Sequence, residues 1–187
     1  MPNRGFYGFS TAGETSIIDT SGVDLTAGGS YSASGVYSTS TADKAFDNST
    51  AANANAWMYG TNTNQWIQCQ LATPIPITRI AIRNGAPQTA NRAVKDGRVE
   101  GSFDGITFVK IPVIGVMGGA LLRDVDEFTL ANSTGTAPPV QTLFLNNVIN
   151  YGYYRIVCLD NYGDAYMAIA EIEMMTSASI VQTVYGR

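Results

Sequence analysis

Histidine is absent from all 187 residues of the chain, and that absence sorts the chemistry its other side chains could do. Ser-His-Asp and Cys-His nucleophilic machinery, His-ligated zinc and an imidazole pH switch all need the missing residue. Carboxylate pairs working as acid and base, and oxygen ligation of calcium, remain open. The densest acidic group is Asp124, Asp126 and Glu127 beside a glycine-rich stretch. Such a knot reads as a solvated turn and not as a catalytic pair, so no enzyme is expected. Cys69 and Cys158 stand apart in apolar surroundings and read as two buried thiols in strands.

Recognition chemistry is better represented. A sugar is held by an aromatic face under its C–H groups and by Arg, Asn or Asp side chains that fork to neighbouring hydroxyls. The segments between apolar runs carry that combination: Trp57 and Tyr59 in one, Arg83, Asn84, Asn91 and Arg92 in the next, and Asn161, Tyr162, Asp164 and Tyr166 in the last. Trp57 reads equally as a ring offered to a ligand and as an anchor that tucks its loop onto the domain. Tyr162 and Tyr166 read as loop packing or as ligand contacts.

The elements that must position these side chains are short strands. Charged residues make up 14% of the chain, well below the roughly 25% of an average soluble protein, so Thr, Ser, Asn and Gly must cover most of the surface. Strands are expected at 31–37, 66–71, 75–83, 94–103, 107–111, 127–130, 141–145, 153–159 and 169–175. In the run Ile77–Ile82, Ile80 and Ile82 share one face with Thr78, while Ile77, Arg79 and Ala81 lie opposite. Turn signals separate the runs, among them Asn84-Gly85 and Asp104-Gly105, the latter suited to a two-residue type I′ hairpin. The expected class is all-β, an antiparallel jelly-roll sandwich. Its bounds read as an N-terminal arm over 1–29, one domain over 30–175, and a strand or arm over 176–187. Residues 48–65 read as a long ordered loop.

Part of the chain resembles a known family. Ala45-Phe-Asp-Asn-Ser-Thr50, Trp57 and Gln65-Trp-Ile-Gln-Cys-Gln-Leu71, then Pro74–Ile82, Asn91–Phe108, Tyr153–Val157 and Ala170–Glu173 are similar in order and spacing to the discoidin, or coagulation factor 5/8 type C, domain. They also resemble the related galactose-binding-like carbohydrate modules. The resemblance implies an eight-stranded jelly roll whose loops at one end bind glycans or lipid headgroups, with no catalysis. It further implies a structural Ca²⁺ held by Asp47, Thr50 and Glu171 with backbone carbonyls around Ala45 and Ser49. Arg92 matches the family's sugar-contacting arginine. Trp66, Ile80, Ile82, Val99, Phe108, Ile156 and Ile172 are expected in the core.

These readings converge on a glycan-binding site made of Trp57, Tyr59, Arg83, Asn91, Arg92, Tyr162 and Asp164. Nucleic acid is not an expected partner, because the net charge is −4 and the eight arginines are scattered from Arg4 to Arg187. Membrane insertion is not expected either: the longest apolar stretch, Ile111 to Leu122, is broken by Pro112 and three glycines. The start, Met1–Ser10, lacks an apolar export segment. A recognition fold with polar arms, made without an export signal, fits a virion component such as a phage head-decoration, head-fibre or tail-appendage protein. Its expected partners are cell-surface or environmental glycans and other virion subunits or copies of itself. The competing expectation is a purely structural assembly block that binds no sugar.

Overall fold

The computed structural model describes residues 22–49, 55–85, 90–123, 126–132 and 139–176. Among the described residues, twelve strands form two antiparallel sheets. The larger runs in the order β1 (Ser30–Ala33), β3 (Gln65–Gln70), β11 (Tyr153–Cys158), β5 (Asp96–Ser102), β9 (Phe128–Thr129) and β8 (Leu121–Leu122), with β6 (Val109–Ile111) also paired to β5. The smaller runs β2 (Trp57–Tyr59), β12 (Met167–Met175), β4 (Arg79–Asn84), β10 (Val140–Leu145) and β7 (Val113–Met117). The expected jelly-roll sandwich is present. The strands number twelve and not eight because β2, β6, β8 and β9 are extra pieces of two or three residues.

Alternation explains the core. Ile67 and Cys69 on β3, Tyr154, Ile156 and Cys158 on β11, and Val99 on β5 all point inward, against Ile80 and Ile82 on β4, Leu143 on β10 and Ile172 and Met174 on β12. Both thiols are free and buried, and burial pushes Cys69 up to about 12. Strand β12 is buried on nearly every residue because its outer face is covered too. Residues 22–29, counted with the N-terminal arm in the sequence, contribute to that cover. Leu25 N–H donates to the Met174 carbonyl at 2.8 Å, and Asp24 Oδ1 accepts Met174 N–H at 3.1 Å.

Four expectations need correction. Trp66 and Phe108 are not core residues; both are half-buried on the outer face of the larger sheet. There the Arg155 guanidinium lies 3.7 Å from the Phe108 ring centroid and 6.0 Å from that of Trp66, so the rings shield a cation while Ile67 takes the inward position. The Asp104-Gly105 pair is no two-residue hairpin. Only Gly105 has a positive φ, +72°, whereas a type I′ turn needs two. Instead Asp104 Oδ1 accepts the N–H groups of Ile106 and Thr107, both at 2.8 Å, and shapes a longer loop. The expected loop over 48–65 contains strand β2, and the apolar stretch broken by glycines holds β7 and β8.

At one end of the sandwich the fully buried Tyr154 ties three segments together. Its hydroxyl donates to the Ile75 carbonyl at 2.7 Å and accepts Ile77 N–H and Asn147 Nδ2–H, each at 3.0 Å. Tyr154→Phe removes that acceptor and leaves two buried donors unpaired, which costs about 1–3 kcal/mol. Urea unfolding of the variant is expected to show this loss with an unchanged denaturant slope. A variant as stable as the parent would mean that the hydroxyl holds nothing.

Candidate functional site

The opposite end, where β5 begins and β12 starts, gathers the polar loops. The loop before β12 is organised by Asn161, a buried amide. Its Nδ2 donates to the carbonyls of Asp164 (2.9 Å) and Tyr166 (2.6 Å), and its Oδ1 accepts Gly163 N–H at 2.8 Å. Gly163 takes a φ of +98°, a backbone angle that side chains disfavour. Asp164 Oδ1 in turn accepts Tyr166 N–H at 2.9 Å. The loop is thereby fixed with Asp164 and Tyr166 facing the short 3₁₀ turn Ala90–Arg92.

Arg92 lies between them. Its Nε is 3.4 Å from Asp164 Oδ1, and its guanidinium carbon is 4.7 Å from the Tyr166 ring centroid. That Nε is buried, and its N–H makes no directed hydrogen bond. The two observations agree on proximity and differ on direction, so the contact is an ion pair by distance alone. On the other side of Tyr166, the exposed Tyr37 ring meets it edge-on at 4.6 Å and 62°. The Tyr166 hydroxyl is raised above its usual range, first by its hydrogen bond with Tyr37 and then by that neighbour's charge. The outcome is a surface patch with one guanidinium, one carboxylate and two tyrosine rings.

The sequence-derived residues divide by role. Arg92 and Asp164 come together, and exposed Asn91 precedes Arg92 in the chain. Trp57 corrects to an anchor. It is fully buried, and its Nε1 donates to the Gly35 carbonyl at 2.9 Å, so its face is closed to a ligand. Tyr59 likewise lies against Gly35, where an added Cβ would fall 2.1 Å from the ring. Together they hold the segment that carries Tyr37. Tyr162 shares the loop, but its hydroxyl donates to the Leu130 carbonyl at 2.6 Å, and burial raises it first. Arg83 is no loop residue: it stands within β4, opposite Val140 and Glu171. Tyr37 was missed because the alternation carried an expected strand through it. Its signal was an aromatic just past Gly35 in a run of serines and threonines. The acidic knot makes surface ion pairs, Asp126 with Lys110 at 3.3 Å and Glu127 with Arg123 at 3.5 Å, while Asp124 lies outside the described residues.

The proposed calcium ligands also divide. Thr50 lies outside the described residues. Glu171 is buried on the covered face of β12, and its Oε1 accepts Ile172 N–H at 3.3 Å. Its Oε2 is buried without a well-aligned hydrogen bond, and the Asn48 N–H nearby pulls the carboxyl down only in part. Burial, and then the charge of Asp47, push the carboxyl up to about 7. Asp47 accepts Ser49 N–H at 2.9 Å and is gripped by Asn55 Nδ2 at 2.8 and 2.9 Å. Among the described residues no three acidic, Cys or His side chains converge, so further oxygens would have to be carbonyls. A buried carboxylate oxygen with no well-aligned partner, near a second carboxylate, fits a cation.

The F5/8 type C domain family matches residues 26–172. No curated protein sequence matches the chain. Among solved structures, the F5/8 type C domain of a Bacteroides fragilis protein is 22% identical with a TM-score of 0.60, covering 82% of this chain and 93% of that one. A carbohydrate-binding module of family 32 from Clostridium perfringens, in complex with GalNAc-β-1,3-galactose, is 16% identical with a TM-score of 0.61, covering 82% and 100%. Another family 32 module from C. perfringens, in complex with galactose, is 16% identical with a TM-score of 0.57, covering 83% and 98%. These structures share the sandwich, and the matched stretch runs from buried Thr26 to Ile172 on β12. The chain belongs to the F5/8 type C domain family.

Proposed function

We propose that this domain is a non-catalytic glycan-binding module whose ligand sits on the Arg92–Asp164–Tyr166–Tyr37 patch. The observation that carries the reading is Arg92, its side chain 25% exposed, held against the Tyr166 ring and Asp164 beside the exposed ring of Tyr37. A guanidinium in that state donates to sugar hydroxyls, Asp164 accepts from them, and exposed Tyr37 offers a ring to the C–H face. Asn91 supplies an amide at the rim. The two family 32 modules bound to galactose-containing sugars support the class of ligand without fixing which sugar. Titration of a glycan array with the purified chain is expected to give binding. Arg92→Ala should weaken it roughly tenfold or more, the scale of a charge-assisted hydrogen bond, and Tyr37→Ala should do likewise. No binding across the array would leave the purely structural assembly block as the reading.

A structural Ca²⁺ belongs to the same proposal. Glu171 Oε2 and Asp47 would ligate it, joined by carbonyls of the 45–49 segment, and the ion would neutralise a buried charge and so stiffen that segment. Added calcium should raise the melting temperature and chelation should lower it. Glu171→Gln should abolish the calcium response while leaving a folded, metal-free domain. A melting temperature indifferent to calcium in the parent chain overturns the ion.

We further infer that the module is carried on a virion, as a head-decoration, head-fibre or tail-appendage component. Two buried, unpaired thiols support this, because a sandwich without disulfides can fold in a reducing host cytoplasm. Peptide mass spectrometry of purified particles tests it; particles lacking this chain would remove that setting.

A further inference from the structure

The segment ahead of β1 does more than cover β12. Asp24 uses both of its carboxylate oxygens. Oδ1 accepts Met174 N–H and Thr26 N–H, each at 3.1 Å. Oδ2 accepts the Thr26 hydroxyl at 2.7 Å and Asn48 Nδ2–H at 3.3 Å. The segment is itself held in place, because Thr26 is fully buried and its carbonyl accepts the Tyr31 hydroxyl at 2.7 Å and Gly29 N–H at 3.0 Å. Asp24 lies ahead of residues 26–172, the stretch shared with the F5/8 type C family.

These contacts fall on the two walls of the proposed calcium site. One wall is the turn that carries Asp47. Both neighbours of Asp47 are held by the N-terminal segment: the Phe46 ring stacks on Tyr31 at 4.7 Å and 9°, and the Asn48 amide reaches Asp24. The other wall is β12, where Met174 lies on the same strand as Glu171. Asn48 has a φ of +56°, a left-handed angle that suits glycine best and asparagine next. Unlike glycine, asparagine brings an amide that can tie the turn down. Its backbone N–H lies near the Glu171 carboxyl, so Asn48 stands between the two walls.

We propose that Asp24 is a positioning residue of the calcium site: by bonding Met174 on β12 and Asn48 on the turn, it sets Asp47 against Glu171 before an ion binds. The ion in this inference rests on the calcium reading; the tie between the two walls does not. The physical reason is preorganisation. Calcium needs several oxygens at one point, and here they come from separate segments whose carboxylates repel one another until the ion is bound. A bond that already holds the turn against β12 removes part of the ordering cost from the binding step. By reciprocity, the bound ion also strengthens the hold of the N-terminal segment on β12.

Two measurements on the full chain test this. The calcium concentration at half of the melting-temperature rise reads the ion, and amide exchange over 46–49 without calcium reads the turn. Asp24→Ala should raise that concentration roughly tenfold and Asn48→Gly roughly threefold, the scale of the hydrogen bonds removed. Both should speed exchange. Asn48→Gly leaves the net charge unchanged, which separates the tie from simple attraction between Asp24 and the ion. The double variant decides: it should need no more calcium and exchange no faster than Asp24→Ala alone, because one bond cannot be lost twice. Looseness brought by glycine itself would add instead. If Asp24→Ala fails to fold, Asp24→Ser takes its place, since serine keeps the local turn to Thr26 and is too short to reach Asn48. Unchanged exchange, additive effects in the double variant, or a lower calcium-free melting temperature with an unchanged calcium requirement overturns the positioning role. A parent chain indifferent to calcium overturns the ion itself, a different failure.

Discussion

A two-sheet sandwich satisfies the backbone of its strands and leaves the backbone of its loops in need of partners. In this domain buried amides and one buried hydroxyl supply them. Tyr154 and Asn147 bind the segments at one end. At the other, Asn84 accepts Val94 N–H at 2.9 Å and donates to the Val94 and Ala131 carbonyls. Gln141 makes a matching pair with Ala131, and Asn161 does the same for the Asp164 loop. Each such side chain takes the place of an absent neighbouring strand. The patch proposed for glycan depends on this, because Arg92 and Asp164 are presented by loop segments on either side of it.

Two arginines differ in how fully their surroundings engage them. Arg155 reaches Glu100 through Nε at 2.6 Å and through Nη2 at 2.5 Å, over the Phe108 ring. Burial alone would raise the Glu100 carboxyl, yet Arg98 and Arg155 hold it below its usual range. That group is saturated. Arg92 has an aromatic face and a carboxylate nearby, and its Nη1 meets Met58 Sδ at 3.3 Å, but no two-pronged pair with a carboxylate engages it. Position in the fold accounts for the difference. Arg155 is fixed by strand register between β3 and β5, whereas Arg92 is fixed only by its loops.

Much of the architecture was legible from alternation. The inward isoleucines of β4, the pairing partners Val99 and Ile156, and the last strand all follow from a period of two. The family pattern also pointed to Arg92, which lies beside Asp164 and Tyr166. The pattern went astray where a residue's neighbour comes from elsewhere in the chain. The two tryptophans exchange roles: Trp66, expected inside, lies on the outer face near Arg155, and Trp57, a candidate for the surface, is sealed beneath Gly35. Tyr37 joins the candidate patch only because β2 holds its segment beside Tyr166.

By itself, the sequence determined the class of fold, the faces of the main strands, the lack of imidazole chemistry and the stock of aromatics, amides and arginines available for recognition. These are local or compositional properties, set by side-chain period and residue type. Only the tertiary structure decided which of those side chains meet. It joined Arg92, Asp164, Tyr166 and Tyr37, buried Trp57 beneath Gly35 and set the buried Glu171 carboxyl near Asp47. Each outcome depends on loops from distant parts of the chain packing together, and neither the period nor the composition of a single segment encodes that.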